Sequence, residues 1–217
     1  MNHSAQPSSW HLVVPVKGGS RAKSRLAAPA GVDHGDLAQA IAMDTVLAAA
    51  EAVTRHAVVV VTSEAPVEAL ARSLGVLSVP DPAGGLNAAV MAGLAWLAEH
   101  APRSRRGVLL GDLPALQAWD LVAALLEAEA HQRAFVPDAA GTGTVLLTAV
   151  AGVRLEPRFG PDSAERHERA GCTRLAIDSP RLRTDVDDAA SLRAALRLGV
   201  GAHTAALVAH LVAPEVG

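Results

Sequence analysis

The sequence predicts an α/β protein with a mostly parallel, doubly wound sheet and helices on both of its faces. Strand and helix patterns alternate along the chain with short connections, and 217 residues are enough for one sizeable core. Hydrophobic residues make up 50% of the chain but aromatic residues only 2%, so small and aliphatic side chains fill that core. No repeat or linker divides the chain. We therefore expect one domain spanning residues 1–217, with residues 1–10 flexible.

Apolar runs and their glycine, proline and acidic boundaries predict the individual elements. In the first half we expect strands at 12–14, 57–61 and 76–79 and helices at 37–53, 67–74 and 86–99. In the second half we expect strands at 107–110, 134–137, 145–150 and 174–177 and helices at 117–131, 189–198 and 204–212. A further helix is expected to begin near Asp162, capped by Asp162 or Ser163. Ligands of doubly wound sheets bind beyond the carboxyl ends of the strands, so the loops that follow these strands are expected to line one crevice.

Charge and cysteine content narrow the class of protein. The net charge is −3 and aromatic residues for base stacking are scarce, which argues against a nucleic-acid partner. The single cysteine, Cys172, excludes an internal disulfide and fits a reducing compartment. The chain shows no signal-peptide pattern and no apolar run near the roughly 20 residues of a membrane span, so we expect a soluble, cytoplasmic protein without a membrane partner. The apolar C-terminal helix suits either closure of the core or a homodimer contact.

Several familiar catalytic motifs are absent. The sequence has no GxxxxGK[ST] motif, no GxGxxG after its first strand and no GxSxG elbow. Its nine histidines show no metal-ligand spacing, and His167 with Cys172 forms no supported pair. P-loop NTPase, dinucleotide redox and serine hydrolase chemistry are therefore disfavoured.

The loop after the first strand concentrates positive charge and glycine. Four cations fall within nine residues, with Gly18, Gly19 and Ser20 among them: Lys17, Arg21, Lys23 and Arg25. Glycine lets the backbone approach phosphate oxygens and the cations neutralise their charge, so the segment fits the phosphates of a nucleotide. A solvated basic turn is an equally good interpretation of this segment taken alone.

Two acidic groups suit a hard cation. Asp112 follows an apolar strand, where carboxylates commonly hold Mg²⁺, although an Asp that caps the next turn explains the residue equally well. A run of aspartates, Asp185-Val186-Asp187-Asp188, precedes the helix at 189–198. Capping by Asp187 or Asp188 explains part of that run and leaves Asp185 as a second candidate metal ligand.

Two segments of small residues suit anions. Gly141-Thr142-Gly143-Thr144 is either a hairpin-like turn or a binding loop. Phe159-Gly160-Pro161-Asp162-Ser163 places a glycine and a hydroxyl at a predicted helix start. Two separate loops of this kind indicate two phosphorylated ligands.

Taken in order, these segments resemble the guanylyltransferases of coenzyme F-420 biosynthesis, which act on 2-phospho-L-lactate or phosphoenolpyruvate. The matching motifs run from residue 12 to about residue 190 and read VPVK with RAKSRL, GGLNAA, GDLPAL, GTGT, RFGPDS with His167, and DVD. The chain departs from the family pattern at Gly18-Gly19, where bulkier residues are common.

The resemblance implies a Rossmann-related, GT-A-like nucleotidyltransferase fold. It also implies transfer of GMP from GTP to a small phosphorylated carboxylic acid, with release of pyrophosphate. Thr144, Gly160 and Ser163 would bind that acceptor, and Asp112 and Asp185 would hold Mg²⁺. The nucleotide would be bound by Lys17, Arg21, Lys23, Arg25, Gly85 and Asn87, with Lys23 and Asp112 as the catalytic residues.

Two alternatives stay open at this point. One is another nucleotidyltransferase of the same fold that acts on a molybdopterin or a sugar phosphate. The other is a non-catalytic nucleotide-sensing module. For the acceptor, the resemblance is greater to the bacterial branch that acts on phosphoenolpyruvate than to the branch that acts on phospholactate.

Overall fold

The computed structural model describes residues 10–16 and 31–212, and the structural statements below concern these residues. The basic segment from Lys17 to Arg25 and the N-terminal residues 1–9 lie outside them. The predictions made for these two segments, and for one domain over residues 1–217, therefore stay predictions.

Within the described ranges the chain forms one seven-stranded sheet. Its strands are β1 (Trp10–Pro15), β2 (Val58–Val61), β3 (Leu77–Val79), β4 (Arg105–Leu109), β5 (Arg133–Pro137), β6 (Thr144–Ala149) and β7 (Thr173–Arg174). Their order across the sheet is β3-β2-β1-β4-β6-β5-β7. Every adjacent pair is parallel except the two pairs that include β6. The prediction of a mostly parallel sheet is confirmed, and the 141–144 segment lies in the antiparallel hairpin of β5 and β6.

Eight helices accompany the sheet in the described part of the chain. They are α1 (His34–Ala52), α2 (Ala65–Leu74), α3 (Leu86–His100), α4 (Ala118–Ala128), α5 (Ser163–Arg169), α6 (Pro180–Arg183), α7 (Ala189–Leu198) and α8 (Ala202–Val212). None of these helices combines the length and the apolarity that crossing a bilayer requires.

The four valines of β2 show how the sheet buries both of its faces. Val58 and Val60 join a core with residues of α1, α2 and α4, whereas Val59 and Val61 join a second core with residues of α3 and α5. Successive side chains of a strand point to opposite faces, so a strand covered on both sides must be apolar throughout. The continuous apolar runs of the sequence follow from this arrangement.

Three local predictions differ from the structure. The strand expected at 174–177 is limited to the two residues of β7, and the short helix α6 was not predicted. Helix α5 begins at Ser163, but the Asp162 side chain makes no capping bond. Asp162 has a left-handed backbone (φ 54°), whereas a capping side chain normally projects from an extended residue. The capping prediction for Asp162 or Ser163 is therefore wrong.

The C-terminal helix α8 closes part of the core. Its Val208 is buried in a cluster with Leu37 and Ile41 of α1. The buried carboxylate of Asp44, also on α1, accepts hydrogen bonds from the N–H groups of His203 (3.0 Å) and Thr204 (2.8 Å). This carboxylate satisfies donors in the first turn of α8, which have no partner within the helix. The homodimer contact stays a prediction.

We expect Asp44→Ala to lower the free energy of unfolding by about 2 kcal/mol, because the two N–H donors lose their acceptor in a buried site. The exposed carboxylate of Asp33 caps α1 in a similar way and serves as the matched control. Asp33→Ala should cost less, since water can replace the lost acceptor. Urea titrations of the two variants measure the difference, and equal losses would contradict this account of Asp44.

Candidate active site

The reversed direction of β6 brings the ends of three strands to one edge of the sheet. Thr144, the first residue of β6, pairs with Pro137 at the end of β5. The next residue, Val145, accepts a hydrogen bond from the N–H of Leu110, just after β4 (2.9 Å). A cavity of about 320 Å³ opens at this edge. Its lining includes the predicted site residues Asp112, Thr144, Gly160, Ser163 and Asp185.

The turn that carries Asp112 is held tightly against β1. Gly111 lies so close to the carbonyl oxygen of Pro15 that a Cβ atom there would be 2.9 Å from it, so a larger residue would displace the turn. The N–H of Leu113 donates to the hydroxyl of Thr45 on α1 (3.0 Å), and Leu113 is itself buried. These contacts determine where the Asp112 carboxylate enters the cavity.

The aspartate run before α7 is attached to this same turn. The N–H of Val186 donates to the carbonyl oxygen of Asp112 (3.0 Å), and the Val186 side chain is buried in the core that α1 shares with α8. Asp188 caps α7 in a capping box with Ser191, which confirms the capping predicted for this run. The cap leaves Asp185 and Asp187 to either side of the buried valine.

Three carboxylates meet as a result, and we call Asp112, Asp185 and Asp187 the acidic cluster. Each offers one oxygen atom, and these atoms lie within 4.8 Å of one another. Asp187 is a residue that sequence reasoning assigned only to capping. The signal that would have found it was the alternation in Asp-Val-Asp, in which one buried residue separates two aspartates.

The acidic cluster carries more negative charge than its surroundings favour. Burial, followed by the negative charges of Asp112, Asp187 and Asp138, raises the pKa of Asp185 to about 7. Crowded carboxylates that resist joint ionisation are stabilised by a cation, and oxygen ligands are those that hard divalent ions prefer. The acidic cluster therefore fits a divalent metal ion.

The opposite side of the cavity presents hydroxyl and backbone groups. Thr144 and Ser163 are each only 2% exposed, yet both line the cavity. Gly160 has a φ of 120°, a conformation that residues with a side chain rarely adopt, and a Cβ there would lie 3.1 Å from Nη2 of Arg166. The N–H of Ala164 donates to the carbonyl oxygen of Thr142 (3.0 Å), which joins α5 to the β5–β6 hairpin.

His167 is a site residue to which sequence reasoning gave no role. It is fully buried, its Nδ1 lies 2.9 Å from Oγ1 of Thr144, and its Nε2 accepts the N–H of Arg158 (3.0 Å). The ring packs edge-on against Phe159. Burial, followed by the positive charges of Arg166 and Arg158, lowers the pKa of His167 to about 4. The side chain is therefore neutral at pH 7.

Asn87 connects α3 to the loop that contains Gly160. Its Oδ1 accepts the N–H of Phe159 (2.9 Å) and its Nδ2 donates to the carbonyl oxygen of the same residue (3.0 Å). Gly85 immediately precedes α3, and the residue between them, Leu86, lines the cavity. The nucleotide contacts expected for Gly85 and Asn87 stay predictions.

Curated relatives match nearly the whole chain. The phosphoenolpyruvate guanylyltransferase of Streptomyces scabiei is 48% identical over 214 residues, which cover 94% of this chain and 98% of that protein. The Streptomyces coelicolor protein of the same name is 46% identical and covers 94% of this chain and 97% of its own. Residues 36–176 also match the family model described as a MobA-like NTP transferase domain.

This chain belongs to the phosphoenolpyruvate guanylyltransferase family. The family predicted from the ordered motifs is thereby confirmed.

Solved structures share the fold of this guanylyltransferase family member at low sequence identity. A nucleotidyl transferase from Methanothermobacter aligns with a TM-score of 0.60 at 19% identity, covering 88% of this chain and 98% of its own. A complex of Rv0371c from Mycobacterium tuberculosis with manganese aligns with a TM-score of 0.54 at 19% identity, and the alignment covers 87% of this chain and 98% of that one. The predicted nucleotidyltransferase fold is therefore confirmed.

We expect the affinity of the acidic cluster for Mg²⁺ or Mn²⁺ to depend on pH. Metal binding requires the ionised form of Asp185, whose pKa is about 7, so protons compete below that pH. The apparent dissociation constant should rise about tenfold per pH unit below 7 and level off above it. Calorimetric titrations between pH 5.5 and 8.5 measure this.

The matched variant for this experiment is Asp187→Asn. It removes one of the charges that raise the pKa of Asp185, so the pH at which affinity levels off should move downward. An affinity that does not change between pH 6 and pH 8 in the unmodified protein would contradict the assignment.

Proposed function

We propose that this protein transfers GMP from GTP to phosphoenolpyruvate, giving enolpyruvoyl-diphospho-guanosine and pyrophosphate in coenzyme F-420 biosynthesis. The observation that carries the proposal is the similarity to relatives named phosphoenolpyruvate guanylyltransferase over 94% of the chain. The cavity adds support, since it combines an acidic cluster on one side with hydroxyl and backbone groups on the other.

Thr144, Gly160 and Ser163 are proposed to bind the phosphate and carboxylate of the acceptor. Hydroxyl groups and backbone N–H groups donate hydrogen bonds to anionic oxygens, and such charge-assisted bonds are stronger than neutral ones. The N–H groups of Gly160 and Asp162 donate to no backbone carbonyl within the described residues. They are therefore suited to an oxygen of the ligand.

Asp112, Asp185 and Asp187 are proposed to hold Mg²⁺. The bound cation would offset the repulsion between the phosphates of the two substrates and the negative charge that develops on the departing pyrophosphate. Asp112 lies in the turn after β4 and Asp185 precedes α7, so two separate segments of the chain supply the carboxylates of the cavity. The three carboxylates would supply the oxygen ligands that a hard divalent cation prefers.

The basic segment is proposed to bind the triphosphate of GTP. Lys17, Arg21, Lys23 and Arg25 would neutralise its charge, and Lys23 would stabilise charge on the α-phosphate as the bond to pyrophosphate breaks. Gly85 and Asn87 are proposed to lie near the guanosine. These six residues carry the nucleotide half of the proposal.

The reaction proposed here needs no general base from the protein. A phosphate oxygen of the acceptor forms the new bond to the α-phosphorus of GTP, and the bond from that phosphorus to pyrophosphate breaks. The second pKa of a phosphate monoester is about 6, so the attacking oxygen is mostly ionised at pH 7. The residues of the site therefore act by positioning the two substrates and by neutralising charge.

The decisive experiment measures pyrophosphate release with GTP and Mg²⁺ for phosphoenolpyruvate, 2-phospho-L-lactate, 3-phosphoglycerate and a sugar 1-phosphate in parallel. We expect phosphoenolpyruvate to give the highest kcat/KM. Asp112→Asn should reduce turnover at least about a hundredfold while the melting temperature stays near that of the unmodified protein. The control is Asp178→Asn, an exposed aspartate outside the cavity.

Three outcomes would count against the proposal. No turnover with any acceptor would favour a nucleotide-sensing module. Turnover with the sugar phosphate alone would favour a different transferase, and full activity of Asp112→Asn would remove that residue from the mechanism.

For Ser163→Ala we expect the KM for phosphoenolpyruvate to rise about tenfold, since one hydrogen bond to a charged ligand is lost. The KM for GTP should change little, because the proposal places Ser163 in the acceptor half only. Steady-state kinetics with each substrate varied in turn measure both constants. Equal increases in the two KM values would contradict the assignment of separate halves.

A further inference from the structure

The hydrogen bonds of His167 have a fixed direction. The backbone N–H of Arg158 can only donate, so Nε2 of His167 must accept that bond. A neutral imidazole carries one N–H group, which must then be on Nδ1. The bond of 2.9 Å between Nδ1 and Thr144 therefore runs from the histidine to the threonine oxygen.

This direction determines what the Thr144 hydroxyl can do. Its oxygen accepts from His167, so its single hydrogen is available for donation to another group. Thr144 lines the cavity although it is nearly fully buried. Among the described residues, the Thr144 hydroxyl makes one side-chain hydrogen bond, the one with His167. A hydroxyl held in this way presents a donor to an oxygen of a bound ligand.

The surroundings keep His167 in the form that this arrangement requires. The ring is fully buried, in edge contact with Phe159 and 6.0 Å from the ring of Phe135. A doubly protonated ring would present a donor to the Arg158 N–H as well as to Thr144. The neutral ring with hydrogen on Nδ1 satisfies both bonds, and a chain of aligned hydrogen bonds polarises its last donor.

His167 also joins the two parts of the proposed acceptor site. It contacts Thr144 at the start of β6 and the backbone of Arg158 two residues before Gly160. Phe159 lies between Arg158 and Gly160 in the sequence, and Asn87 binds both its N–H and its carbonyl group. The position of Gly160 relative to Thr144 therefore depends on the imidazole ring together with the Asn87 amide.

We propose that His167 is a positioning residue that orients the Thr144 hydroxyl as a hydrogen-bond donor to an anionic oxygen of the acceptor substrate. This inference rests on the proposed function for the identity of the acceptor. His167 itself neither contacts the acceptor nor takes a proton from it.

Two substitutions separate the two nitrogen atoms of the ring. Asn places its amide near the position of Nδ1, so His167→Asn can still donate to Thr144 but loses the acceptor for Arg158. Gln places its amide near the position of Nε2, so His167→Gln can still accept from Arg158 but loses the donor to Thr144. The two variants are matched in chemistry and differ in which bond they keep.

We expect His167→Gln to raise the KM for phosphoenolpyruvate about tenfold, the effect of one lost hydrogen bond, with little change in the KM for GTP. His167→Asn should keep the KM for phosphoenolpyruvate close to that of the unmodified protein, even if it lowers the melting temperature more than His167→Gln does. Thr144→Val should raise the same KM, and Thr144→Val combined with His167→Gln should be no worse than Thr144→Val alone. Equal increases for the Asn and Gln variants, or additive losses in the double variant, would overturn the inference.

Ring ¹⁵N chemical shifts of His167 provide a measurement that needs no turnover. They should identify the tautomer with hydrogen on Nδ1 in the unmodified protein, and hydrogen on Nε2 would overturn the inference while leaving the proposed function intact.

Calorimetric titration with phosphoenolpyruvate in the presence of Mg²⁺ tests the opposite possibility, that the inference holds and the proposed function fails. Binding that weakens in His167→Gln, without any turnover in the unmodified protein, would support the positioning role and reject the proposed function. Absence of binding to the unmodified protein would overturn the role of Thr144 as a donor.

Discussion

The repulsion among Asp112, Asp185 and Asp187 is the constraint on which much of this structure depends. Three carboxylate oxygens within 4.8 Å of one another oppose folding unless a cation or a proton joins them. The chain holds them together through the hydrogen bond from Val186 to the carbonyl of Asp112 and through the burial of Val186. Apolar burial and backbone hydrogen bonding thus stabilise a charged arrangement that would not form by itself.

The hydroxyl side of the cavity lies at the same edge of the sheet as the acidic cluster because β6 is antiparallel to its neighbours β4 and β5. In a wholly parallel sheet the start of this strand would lie at the opposite edge, about 20 Å away for a strand of ordinary length. Reversal through the hairpin after β5 places Thr144 next to the end of β4, with Asp112 in the following turn. One irregularity in the sheet therefore brings the acidic cluster and the hydroxyl side of the cavity together.

Much of the fold could be predicted because local patterns report local burial. The valines of β2 are apolar throughout since helices cover both faces of the strand, and Gly75 ends α2 with a left-handed backbone. The capping of α5 could not be predicted in this way. Asp162 has the right side chain for a cap, but its left-handed backbone differs from the extended conformation of a capping residue, and the residue type alone does not reveal that conformation.

The sequence by itself determined the class of fold and the family, because alternating apolar runs and short ordered motifs are local patterns. Through the family resemblance it also predicted Asp112, Asp185, Thr144, Gly160 and Ser163 as site residues, and the structure places all five around one cavity. Only the tertiary structure decided that Asp187 joins the acidic cluster and that Asn87 holds the backbone of Phe159. It also brought His167 into hydrogen-bond contact with Thr144, a residue 23 positions away. Such roles depend on distances and hydrogen-bond directions between segments far apart in the chain, which no local pattern of residues records.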